Sequence, residues 1–286
     1  MTCFRFSFAP RWALLGATLL LLGCGQDAPD PTAPTRDDHL ALGNPSGAIT
    51  DATQPTNYLI VRPQYALSYH RDRGTPNWVS WHLSPAWLGT AARQDNFTAD
   101  NTLPTGWYRP TSSSYTGSGF DRGHQCPSAD RTASAADNAA TFVLSNIIPQ
   151  APNNNQRTWV GLENYSRTLV GQGNELYIIC GSYGRGGTGS EGRATTIDQG
   201  RITVPARCWK VVVVLPIGTN DASRITSSTR VIAIDLPNSN TVNEDWSRYR
   251  TSVDAIEQAT GLDLLSAVST AVQATLEAQV DKGPTQ

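Results

Sequence analysis

No excess of basic charge marks this chain. Its 22 Lys and Arg stand against 24 Asp and Glu, a formal net charge of −2. Removing residues 1–23 takes Arg5 and Arg11 and no acid, which leaves 20 against 24, or −4. That balance excludes a protein that coats nucleic acid by bulk charge. It does not exclude an enzyme with a local cationic groove. The apolar run Trp12–Leu22 is too short for a stable bilayer span. The five cysteines show no zinc spacing. Gly184-Arg185-Gly186-Gly187-Thr188-Gly189 lacks the Gly-Lys-Ser/Thr of a phosphate-binding loop and reads as a surface loop. There is no internal repeat.

The N-terminal residues read as an address. Arg5 and Arg11 precede the Trp12–Leu22 run, and Leu21-Leu22-Gly23-Cys24 closes it. This pattern resembles a bacterial lipobox, with a signal peptide over residues 1–23, cleavage before Cys24 and lipid on its sulfur. The expectation is a cell-envelope protein anchored by Cys24, with Gly25 after it favouring the outer membrane. Residues 25–57 contain no aromatic side chain and carry five prolines, so residues 24–57 are expected to be a disordered tether. Residues 58–268 then form one domain, and 269–286 a C-terminal tail.

Strand-like runs occur at Tyr65–His70, Asn77–Leu83, Thr141–Ser145, Glu175–Cys180, Ile202–Leu215 and Arg230–Leu236. Helical periodicity marks Ser134–Ala140, Asn153–Val170 and Ser247–Thr260. On the second of these, Trp159, Leu162, Tyr165 and Leu169 share one face. Trp78, Trp81 and Trp87 read as core residues rather than base-stacking platforms. Strands outnumber helices without regular βαβ alternation. The fold class is therefore α+β, with a central, mostly antiparallel sheet and flanking helices. Cys126, Cys180 and Cys208 remain beyond the signal. A Cys180–Cys208 bridge and buried free thiols are both open, with free thiols preferred.

The most informative stretch is Asp121-Arg122-Gly123-His124. It places a proton acceptor beside a guanidinium, and the glycine between them lets backbone or substrate approach closely. Asn146, Asn155, Trp159, Leu162 and Glu163 follow. Histidine, arginine, asparagine and glutamate in that order suit metal-assisted cleavage of a phosphodiester. His124 can accept a proton at neutral pH, since an unperturbed imidazole titrates near ~6.5. The other three histidines, His39, His70 and His82, have no such surroundings. Arg122 matches phosphate geometry with paired donors. Mg²⁺ takes oxygen ligands and keeps several waters, so one or two protein ligands suffice. Asp121 is read as a loop anchor.

These segments resemble the DNA/RNA non-specific endonucleases, the ββα-metal nucleases. The resemblance rests on the Asp-Arg-Gly-His box, Phe142–Gln150, Asn155 with Trp159–Glu163, and Ile256–Leu262, and spans about Tyr58 to Leu265. It implies a ββα metal-binding element and selects Asn155, among three adjacent asparagines, as the metal ligand. Eight residues of α-helix separate Asn155 from Glu163, about 12 Å of rise, so Glu163 is expected to orient water around the ion rather than bind it. Arg93 matches the family's upstream arginine segment, and Asn146 is expected to position groups around the site. Cys126 stands where the family has a small apolar residue. The implied activity is Mg²⁺-dependent hydrolysis of DNA and RNA, with Mn²⁺ as a substitute, little sequence preference and 5′-phosphate ends. Two readings compete with it: a non-catalytic envelope lipoprotein that binds nucleic acid or other polyanions on the same fold, and a narrow phosphodiesterase of small substrates.

Overall fold

The computed structural model describes residues 1–2 and 35–286. The signal segment and Cys24 lie outside the described residues.

Strands β1 (Tyr58–Val61), β2 (Ala66–His70) and β3 (Thr75–Leu83) open the sheet. β4 (Asp121–His124) and β5 (Ile147–Gln150) form a separate antiparallel ribbon. β6 (Asn174–Tyr183) returns to the sheet. Two small ribbons follow, β7 (Gly187–Gly189) with β8 (Gly192–Ala194), and β9 (Thr196–Ile197) with β10 (Ile202–Thr203). β11 (Arg207–Pro216), β12 (Arg230–Pro237) and β13 (Arg250–Thr251) complete a seven-stranded sheet in the order β1-β2-β3-β6-β11-β12-β13. Every pairing in it is antiparallel.

Among the described residues, five short α-helices lie around it: α1 (Ala135–Ala140), α2 (Val160–Gly171), α3 (Asp221–Arg224), α4 (Val253–Thr260) and α5 (Thr270–Leu276). Their ends are chemically marked. Ser134 accepts from the Asp137 amide ahead of α1, and Ser252 from the Ala255 amide ahead of α4. Gly261 stops α4 in the left-handed region, at φ 73°.

Side chains alternate across the sheet. Val79, Trp81, Ile178, Cys180, Cys208, Val212 and Ile232 point to one face, where Trp159, Leu162, Tyr165 and Leu169 of the α2 segment cover them. Trp78, Tyr177, Ile179, Trp209, Val211 and Val213 point to the other, under α4 and Leu276. Trp78, Trp81 and Trp87 are core residues.

Several elements depart from the sequence reading. Residues 35–57, expected as tether, pack onto the domain. Leu42 and Ala48 join the core under α4. Ser80 donates to the His39 carbonyl at 2.6 Å, and Trp78 Nε1 to Ser46 Oγ at 2.8 Å. A segment without aromatics can still be ordered by docking on aromatics supplied elsewhere. The expected tail from 269 also packs, since it carries α5 and buries Leu276. Thr141–Ser145 is not a strand, and the chain turns there before β5. The long run from Ile202 breaks at Pro205, which has no N–H for a ladder, into β10 and β11. Ser247–Thr260 holds a 3₁₀ turn, Trp246–Tyr249, a short strand and then α4.

Cys126, Cys180 and Cys208 are buried free thiols. Cys208 faces Ser182 across the β11–β6 ladder, while Cys180 faces Lys210. The two cysteines are offset by two residues, so the open question of a bridge resolves to the preferred free thiols.

Candidate active site

The β4–β5 ribbon and the start of the α2 segment build one cleft. His124 ends β4, opposite Ile147. Gly123 is required by close approach: a Cβ there would sit 2.3 Å from Gln150 Oε1 and 2.6 Å from Gln150 Cβ. The approaching group is thus the neighbouring strand, not substrate.

His124 is 8 % exposed. Its ring lies edge-on to Phe142 at 4.8 Å between centroids, and 5.3 Å from Phe97. Nε2 is buried without a hydrogen-bond partner. Burial, reinforced by the Arg93 and Arg122 guanidiniums, pushes the imidazole down to about 3. The ring is therefore neutral at physiological pH, and a bound anion that offsets the two guanidiniums would raise its basicity.

Residues Asn154–Trp159, preceding α2, wind as a π-helical turn. Such widened turns recur at functional sites. The sequence placed an ordinary α-helix here. Asn155 Nδ2 and Gln156 Nε2 both donate to Asp121 Oδ2 at 2.8 Å, which ties the turn to the ribbon. With Nδ2 so held, Oδ1 is the Asn155 atom left for a ligand. Glu163 follows on α2 and lines the same cleft of about 250 Å³ as His124, Asn155, Arg93, Arg122 and Arg167.

Glu163 is 8 % exposed, and Lys210 Nζ, which is 3.2 Å from Oε1, donates to it. Burial raises the carboxyl's pKa; the nearby Lys210 opposes that rise. The ammonium also lies 4.1 Å from the Trp159 ring centre.

Arg93 and Arg122 stack on Phe142 and Phe97, at 4.8 and 4.2 Å from the ring centres. Arg93 Nη1 donates to Ser128 Oγ at 3.0 Å, and Arg122 Nη1 to Ser112 Oγ at 2.5 Å. These contacts fix the side chains and leave other guanidinium donors for a phosphate.

Asn146, expected to position groups around the site, holds backbone rather than lining the cleft. It is fully buried: its Oδ1 accepts from the Cys126 amide at 2.9 Å, and its Nδ2 donates to the Cys126 and Thr141 carbonyls at 2.9 and 2.8 Å. It is a positioning residue that clamps the chain just after His124. Sequence reasoning missed Lys210, Gln156 and Arg167. Lys210 sits in the strand run Arg207–Pro216, and a lysine within so apolar a run was the available signal. Arg167 lies one helical turn beyond Glu163 and pairs with Asp130 at 2.6 Å.

Among the described residues, the clusters of three or more His, Cys, Asp or Glu that could grip an ion lie elsewhere, at Asp37-His82-Glu175-Asp221 and at Asp254-Glu257-Glu277. The cleft instead offers the Asn155 and Gln156 amide oxygens and the nearby Glu163 carboxylate. That donor set does not fit a closed zinc site. It fits a hard, largely hydrated cation such as Mg²⁺.

An antiparallel ribbon carrying a histidine, backed by a helix carrying Asn155 and Glu163, defines a ββα-type nuclease fold. The family model for DNA/RNA non-specific endonucleases matches residues 43–271. The chain belongs to that family and is a hydrolytic nuclease. A nuclease from Nostoc sp. is 50 % identical over 267 residues, covering 92 % of this chain and 94 % of its own. Mitochondrial endonuclease G from Homo sapiens is 33 % identical over 210 residues, covering 70 % and 67 %. The solved structure of the EndoG/EndoGI complex shares the fold, with a TM-score of 0.65 at 22 % identity over 81 % of this chain and 91 % of that one.

Proposed function

We propose that this nuclease hydrolyses DNA and RNA phosphodiesters with Mg²⁺, using His124 as general base and leaving 5′-phosphate ends. The observation that carries the reading is the neutral imidazole with an unpartnered ring nitrogen, flanked by two guanidiniums, on the cleft that holds Asn155. His124 takes the proton of an attacking water. Arg93 and Arg122, with Arg167 beside them, bind phosphate oxygens through charge-assisted hydrogen bonds. Asn155 would hold the cation through Oδ1, and Glu163 accepts hydrogen bonds from cleft water. A bound Mg²⁺ supplies charge stabilisation for the phosphoryl group and the leaving oxygen. The polar contacts at the cleft address phosphate chemistry rather than base edges, which supports action on both nucleic acids with little sequence preference. Mn²⁺, which has similar donor preferences, is expected to substitute.

Plasmid nicking and RNA degradation should stop in EDTA and resume with Mg²⁺. Unchanged cutting in EDTA would refute the metal-dependent reading. We also propose envelope attachment through lipid on Cys24, supported by the Leu-x-Gly-Cys sequence. Labelling with a palmitate analogue tests it, and absence of label on the wild type would sink it.

A further inference from the structure

On the sheet face opposite the active site, carboxylates gather without a cation. Asp254 and Glu257 lie on α4, three residues apart and so on one side of the helix. Glu277 follows α5 directly, and the Asp254 amide donates to its backbone carbonyl at 3.1 Å. One ligand oxygen from each of the three side chains lies within 4.8 Å of the others.

Glu277 is 5 % exposed, and its Oε1 is buried with no hydrogen-bond partner. Such an atom is costly unless something pairs with it. Burial, with the charges of Glu257, Asp254 and the nearby Asp263, pushes the Glu277 carboxyl up to about 7. No Lys or Arg bridges these acids among the described ion pairs. Glu257 is already oriented, since its Oε1 accepts from the Leu264 amide at 2.7 Å. By contrast, the acidic cluster around His82 contains Arg224, which bonds Glu175 and Asp221.

We propose that Asp254, Glu257 and Glu277 form a binding site for a calcium-sized divalent cation, which ties the C-terminal segment to α4. The donors are all oxygen, which selects a hard cation over zinc. Ca²⁺ suits the site better than Mg²⁺ because it accepts irregular sets of six to eight oxygens, with water completing the shell on the exposed Asp254 side. The site stands apart from the nuclease mechanism and does not rest on it.

The test uses the full chain carrying Asn155→Ala, which removes the expected active-site ligand. Thermal unfolding is followed at pH 8 in EDTA and in millimolar CaCl₂, with isothermal titration of CaCl₂ alongside. Calcium should raise Tm by about 3 °C or more, with one binding site. Glu277→Gln and Asp254→Asn should each abolish the shift, and Glu277→Gln should melt higher than its parent in EDTA because a like charge is gone. No calcium shift in the parent would overturn the site, and so would an undiminished shift in both variants. If the parent is indifferent to calcium while Glu277→Gln is stabilised, the carboxylates merely share a proton, and the proposal falls.

Discussion

His82 and His124 are both buried, at 0 % and 8 % exposure, yet their surroundings differ in one respect that separates structure from chemistry. His82 is closed on both sides. Its Nδ1 accepts from the Asp37 amide at 3.2 Å, and its Nε2 meets Glu175 Oε2 at 3.3 Å. Around it, Tyr177 and Arg224 satisfy Asp221, while Gly218 and Arg224 satisfy Glu175. His124 has no partner on its buried nitrogen and two cations beside it. A buried polar group that folding leaves unpaired is destabilising, so its retention points to a partner that arrives later. The His82 network joins residues 35–48 to the sheet. The His124 ring keeps an unpaired nitrogen, as the proposed base role requires.

The sharpest way to break this comparison is to delete each ring. His124→Ala should lower turnover by ~10²–10⁴ while the protein stays folded. His82→Ala should leave the turnover of folded enzyme near wild type but cost about 3 kcal/mol of stability, a Tm fall of roughly 6–12 °C. Steady-state plasmid cleavage and circular-dichroism melts read both. Full activity in His124→Ala, or a stable but inactive His82→Ala, would reverse the assignment.

Two adjacent asparagines sharpen the same distinction. Asn155→Ala should raise the Mg²⁺ concentration for half-maximal activity by roughly 10–100-fold. Asn154 is buried, bonded to Gln150 at 3.1 Å and to the Pro237 carbonyl at 3.2 Å. Asn154→Ala should therefore lower Tm and leave the Mg²⁺ titration unmoved. Equal shifts in the two titrations would undo the role given to Asn155.

Lys210→Met tests whether the Glu163 carboxylate needs its buried partner. Burial already raises Glu163, and Lys210 works against it. Without the ammonium, the acid limb of kcat/KM should move to higher pH. Lys210→Arg should restore part of it. An unmoved limb would make Lys210 a packing residue only.

Stability also depends on pH. Burial lowers His124 to about 3 and His39 to about 4. Unfolded, both titrate near ~6.5, so the unfolded chain binds more protons between that value and the folded one. Stability from these groups is intact above pH ~6.5 and falls as the solution becomes more acidic, by up to about 2 kcal/mol per histidine at pH 5. Urea unfolding of wild type and His39→Gln at pH 7.5 and 5 should show a shallower decline in the variant.

Much of the fold was legible in local pattern. Strand alternation marked β2, β3, β6 and β12, and the helical repeat of Trp159, Leu162, Tyr165 and Leu169 marked the face that covers the sheet. The histidine box and the family spacing brought His124, Arg122, Arg93, Asn155 and Glu163 to one cleft. Other features were not legible. Asn146 and Asn155 are the same residue type; only their partners make one a backbone clamp and leave the other an open oxygen. Residues 35–57 looked too polar to fold because their apolar partners lie more than thirty positions away, as Ser46 finds Trp78. The π turn at Asn154–Trp159 has no signal in helical propensity, since Asp121 anchors it from another element.

Residue order by itself determined what short-range chemistry controls: which face of each strand and helix is apolar, where Ser134 begins one helix and Gly261 ends another, and which side chains can act as acids, bases and cations. Tertiary structure alone decided which polar atoms are satisfied and which stay open. The cost of burial and the energy of pairing depend on neighbours that are distant in the chain. Two buried histidines thus become a closed strut at His82 and a ring with an unpaired nitrogen at His124.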